Sequence, residues 1–145
     1  MLRQIQVTLV AVLLLAACTE KAAPAAAAPG VPAKVETAEY VVSLVDAKAT
    51  GGAVVITARP PLHVNPDYPT AFKPDPGGAK FEGERVALTP DAKKPCEKAD
   101  ETCEVHAALP WTASAGQLVA GTVLFSVCQP EKCLIEKVRV GVTLP

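Results

Sequence analysis

The chain of 145 residues is predicted to be all-β, a two-sheet antiparallel β-sandwich of immunoglobulin-like size with about seven short strands. Three observations predict it. From residue 35 onward, short runs of β-branched residues recur with Gly, Pro, Asn and Asp clusters between them. The 14 prolines, several bounding those runs, argue against long helices. The last run alternates strictly. Val138, Val140, Val142 and Leu144 face one way and Lys137, Arg139, Gly141 and Thr143 the other, as in a half-buried antiparallel strand.

The segment before the domain carries an export signal. Arg3 is its only charge, and an apolar run over residues 7–17 is too short to span a bilayer. The run closes on Leu15, Ala16, Ala17 and Cys18, which read as a bacterial lipobox: a signal peptide over residues 1–17, with Cys18 as the lipidation site. Diacylglycerol on the sulfur and an acyl chain on the new amino terminus would make a durable anchor, which a single chain does not. An ordinary signal peptide cleaved near Ala17 is the simpler alternative. Thr19, rather than Asp, after the cysteine resembles lipoproteins sorted to the outer membrane. The expected location is the cell envelope, on the outer rather than the inner membrane, with the domain facing the periplasm.

Residues 18–34 are mostly Ala and Pro, with little to bury. Prolines at 24, 29 and 32 stop the alanines from forming one helix, so an extended, flexible tether is expected, with the domain occupying residues 35–145. Strands are expected at 40–45 and 53–57, separated by Gly51 and Gly52, then at 85–88, 105–109, 117–127 and 138–144. In the fifth of these, Val123, Phe125 and Val127 share one face while Thr122, Leu124 and Ser126 share the other.

Composition narrows the function. Removing residues 1–17 takes away Arg3 and leaves 13 basic against 15 acidic residues, with no basic block, so nucleic acid is not an expected partner. Only six aromatics occur, so Val, Leu, Ile and Ala must build the core. A monomer is expected. No Ser-His-Asp grouping, phosphate loop or carboxylate pair supports a hydrolase. His63, between prolines, reads as a loop residue, His106 as a strand residue at or near the surface, and Trp111 as a core-edge aromatic. A Cys/His metal site has no short ligand spacing behind it, so neither metal nor cofactor is expected.

Apart from Cys18, four cysteines remain: Cys96, Cys103, Cys128 and Cys133. An even number in an exported chain points to disulfides, and counting alone leaves three pairings open. Cys96 and Cys103 bracket a charged six-residue stretch and read as a local structural disulfide. Cys128 and Cys133 flank Gln129, Pro130, Glu131 and Lys132, which read as a four-residue hairpin loop between two apolar strands. Opposed residues of a non-hydrogen-bonded antiparallel pair are close enough for a disulfide. The bond is then either a staple or a redox pair. Closing so short a loop stabilises by roughly 2 kcal/mol, against almost 4 for a loop of about thirty residues, so it is a poor staple but an accessible bond. Lys132 beside Cys133 would favour its thiolate, offset by Glu131 and screened by water.

From Glu104 to the C-terminus the chain resembles the N-terminal periplasmic domain of the thiol:disulfide interchange protein DsbD. The shared features are Ala108, Leu109 and Pro110, then 114–118 (SAGQL), then 123–128 (VLFSVC), followed by Cys128-x4-Cys133 and a final strand. Upstream, 62–69 (LHVNPDYP) sits where that family has a Gly/His/Tyr-containing strand approach. The resemblance implies an immunoglobulin-like sandwich whose cysteines take electrons from a membrane-embedded partner and pass them to thioredoxin-like proteins. It also implies that Cys133 attacks and Cys128 resolves. The family's aromatic-bearing cap loop corresponds here to residues 89–103, which hold Cys96 and Cys103 but no aromatic. Leu134 and Ile135 replace the Pro and Tyr often found after the second cysteine. The expected function is thiol:disulfide interchange at Cys128 and Cys133. The alternative is a lipid-anchored, non-catalytic binding module with two structural disulfides.

Overall fold

Alternation at period two builds both sheets. The computed structural model describes residues 30–91 and 103–145, and among them there are strands and turns but no helix. The strands are β1 (Lys34–Glu36), β2 (Tyr40–Lys48), β3 (Gly51–Ala58), β4 (His63–Val64), β5 (Ala71–Pro74), β6 (Val86–Ala87), β7 (Cys103–Pro110), β8 (Leu118–Gln129) and β9 (Lys132–Thr143). One sheet runs β1-β2-β3-β7 and the other has five strands centred on β8, with antiparallel pairing throughout. The expected all-β sandwich is what the chain forms, with nine strands among the described residues rather than about seven.

The core lies between the sheets. Val42, Leu44, Val54, Ile56 and Leu109 come from the four-stranded sheet, and Phe72, Val119, Val123, Phe125, Val127 and Val140 from the other. In β8 the faces divide as the alternation predicts: Val123, Phe125 and Val127 are fully buried in that core, and Ser126 and Cys128 share the opposite face. Gly121 is on the core face because Phe72 needs its space; a Cβ there would run into the Phe72 ring.

Three strands escaped the sequence reading. β4 and β5 both pair with the same side of β8, with β6 beyond β5, and residues 65–70 leave the sheet between them. Prolines at 66 and 69 cannot donate ladder hydrogen bonds, which keeps both pieces short. His63 is therefore a strand residue, not a loop residue. β1 begins at Lys34, inside the expected tether, and Val31 is buried ahead of it. The lead-in is fastened on both sides: Leu44 N donates to Ala33 O at 2.8 Å and Gly141 N to Pro32 O at 3.0 Å. It thereby joins the edge of one sheet to the edge of the other.

Trp111 belongs to the core proper, 4% exposed, with its indole Nε1 donating to Lys48 O at 2.8 Å. Gly51 and Gly52 open β3 rather than making the turn before it, and a Cβ at Gly52 would strike the Trp111 ring.

Tyr40 ties the sheets together at the end nearer the β8–β9 turn. Its ring packs edge-on against Phe125, centroids 5.1 Å apart, and its hydroxyl donates to Glu136 Oε2 at 3.0 Å. Burial first, and that hydrogen bond second, push its ionisation from 10.0 up to about 12. The fold favours the neutral phenol, so this stabilisation is complete below pH 10.0 and is lost as pH rises from there through about 12. Tyr40→Phe should lose roughly 1.5 kcal/mol at neutral pH, the low end for a hydrogen bond to a charged group. Urea denaturation across the alkaline range should show the gap between wild type and variant closing as pH approaches 12.

Candidate functional site

The β8–β9 hairpin pairs in unbroken register from Leu118 opposite Thr143 to Gln129 opposite Lys132. Its turn is thus two residues, Pro130 and Glu131, rather than the four expected, although Cys128 and Cys133 still oppose each other. Pro130 fixes its own φ negative, and Asp46 is the only non-glycine with positive φ among the described residues. Glu131 therefore has negative φ, so the turn is not one of the primed types whose twist matches that of a hairpin. One step inward the strands are joined covalently. The Cys128–Cys133 disulfide has a Cα–Cα distance of 4.0 Å, the close spacing of a non-hydrogen-bonded pair.

The two sulfurs sit in unlike surroundings. Cys128 is on the central strand and is only 6% exposed, although its side chain leaves the sheet on the face away from the core. Cys133 is on β9, which at this end has no further strand beside it among the described residues, and it is exposed. Position in the sheet, not residue type, makes the difference.

Three side chains frame the bond. His63 is the register partner of Cys128 across β4, so His63, Cys128 and Cys133 form one row on the outward face. Ser126, two residues back on β8 and 1% exposed, places Oγ 3.8 Å from Cys128 Sγ. Opposite Ser126 stands Ile135, 63% exposed and the one exposed large hydrophobic among the described residues. Lys132, expected to assist the Cys133 thiolate, points to the other face, because neighbours along a strand alternate.

The other candidates lie elsewhere. Cys103 opens β7 in the four-stranded sheet, is buried, and is itself disulfide-bonded. With Cys128 and Cys133 joined to each other, its partner is neither of them. Cys96 and Cys18 lie outside the described residues, as does most of the expected counterpart of the cap loop. His106 is exposed on β7, its Nε2 2.6 Å from Glu104 Oε1, in the sheet that does not contain His63. Among the described residues no three His, Cys, Asp or Glu side chains are grouped to hold a metal ion.

Sequence reasoning missed the pairing of His63 with Cys128. The one available signal was the alternation of Leu62, His63 and Val64, too short between prolines to announce a strand. Ser126 was legible in principle, since it shares the parity of Cys128 two residues on.

After gentle reduction of the folded protein, limiting iodoacetamide should label Cys133 about tenfold or more faster than Cys128, since access limits thiol reaction. Peptide mass spectrometry reads the ratio, and equal labelling would contradict the asymmetry. No family model, curated protein or solved structure matches the chain, so the function must be read from this hairpin and its neighbours.

Proposed function

We propose that the protein is an envelope lipoprotein whose Cys128–Cys133 disulfide takes part in thiol:disulfide interchange with thioredoxin-like or membrane-embedded redox partners. The observation that carries the reading is the unequal exposure of the two sulfurs. Exchange begins with a thiolate attacking one sulfur in line with the bond, and here Cys133 is open while Cys128 is covered. The partner joins Cys133, Cys128 leaves, and in the reverse direction Cys128 resolves the mixed disulfide. A second support is energetic. A ladder of this length already fixes the hairpin, and the bond closes so small a loop that it adds roughly 2 kcal/mol as a staple. The resemblance to DsbD N-terminal domains, in cysteine spacing and final strand, supports the same assignment of roles.

Ile135 gives the partner something to hold. It stands two residues from Cys133 on the same face, so a protein delivering a thiolate to that sulfur would cover it. The second reading is a static binding module, favoured by a turn without positive φ, whose strands a permanent bond would keep together. Potential separates the two: structural disulfides of secreted proteins lie below about −300 mV and exchanging ones higher.

Removing the resolving cysteine should trap the partner. Cys128→Ala should accumulate a reducible covalent complex in envelope extracts, and Cys133→Ala far less of it. If neither traps a protein and the wild-type bond resists reduction at physiological potentials, the binding module is the correct reading.

The lipobox supports anchoring through Cys18. A metabolic fatty-acid probe should mark the wild type and leave Cys18→Ala unlabelled; equal labelling would refute lipidation at that residue.

A further inference from the structure

We propose that Ser126 receives Cys128 as the leaving thiolate and so sets the order in which the two sulfurs react, an inference that rests on the exchange reading above. Burial alone would work against Cys128 in that part. A thiolate formed in a covered site loses water, which makes it a poor leaving group unless a donor replaces the solvent.

Ser126 is placed to be that donor. It is 1% exposed, on the outward face, and among the described residues its hydroxyl finds its hydrogen-bond partner in Cys128 Sγ at 3.8 Å. A buried hydroxyl without a partner is costly, and a disulfide sulfur is a weak acceptor. The same contact becomes a charge-assisted hydrogen bond once Cys128 is a thiolate. The site is thus complementary to the product of bond cleavage more than to the intact bond, and its gain appears as the S–S bond breaks.

The step balances. An incoming thiolate adds to Cys133 Sγ and forms a new S–S bond. The Cys128–Cys133 bond breaks, its electron pair leaves on Cys128 Sγ, and the Ser126 O–H turns to it. A second thiol of the reductant then displaces Cys133, so that one dithiol is oxidised to a disulfide as this one is reduced to two thiols. Attack in the opposite sense, on Cys128, would expel Cys133 into water and draw nothing from Ser126.

The test uses dithiothreitol, which needs no cellular partner. The second-order rate of reduction of the oxidised protein at neutral pH is compared for wild type, Ser126→Ala and Ser126→Thr. Ser126→Ala should react about tenfold more slowly, the low end for one hydrogen bond to a charged group, and Ser126→Thr should recover most of the rate. In a Cys133→Ala background, ultraviolet thiolate absorbance should show Cys128 ionising at higher pH when Ser126 is Ala. Matching urea midpoints for the oxidised forms establish that the variants fold. Unchanged reduction by Ser126→Ala, or slowed reduction with unchanged Cys128 ionisation, would overturn the proposal. The two readings fail separately. A slowed Ser126→Ala without any trapped partner keeps the sulfur chemistry and removes the cellular role; a trapped partner without a Ser126 effect does the reverse.

Discussion

The register between β8 and β9 is the constraint on which the rest depends. Sliding β9 by one residue would turn Val138, Val140 and Leu144 out of the core and separate Cys133 from Cys128. The hydrophobic effect therefore enforces the same pairing that brings the sulfurs together. Nothing in the cysteines themselves is needed to set their distance. The apolar alternation on the inner face positions the chemistry on the outer one.

That division of labour explains why one sheet carries two kinds of surface. The inner face of β8 is Val119, Val123, Phe125 and Val127, packed against the four-stranded sheet. Its outer face holds Ser126 and Cys128, buried although they point away from the core, on a strand with β9 along one side and β4 and β5 in turn along the other. A central strand shelters its outward side chains and an edge strand does not. Two chemically identical residues thus acquire different accessibilities from topology alone. In the proposed exchange that difference replaces the charge asymmetry that Lys132 was expected to supply.

Much of this was legible before the structure. The strands over 40–45, 53–57, 105–109 and 117–127 show as β-branched or alternating runs, and all are present. The faces of β8 and β9 follow from period two, and so does the opposition of Cys128 to Cys133. What failed to show was short or proline-bound. β4 is two residues long, and β5 is broken from it by Pro66 and Pro69, so neither has a period to read. β1 and the lead-in before it were hidden by an Ala/Pro composition that reads as tether, although Pro32 and Ala33 are held through their backbone carbonyls, which composition does not report. The row of His63 with the disulfide joins residues far apart in the chain, and no local pattern encodes it.

The fastening of Pro32 to Gly141 has a consequence for reach. Gly141 pairs with Ala120 near one end of the hairpin, and Cys133 pairs with Cys128 at the other. At ~3.3 Å per residue the two points are roughly 26 Å apart along β9. The chain enters the sandwich at the end away from the turn, so a pull on the N-terminal side acts at the opposite pole from the sulfurs.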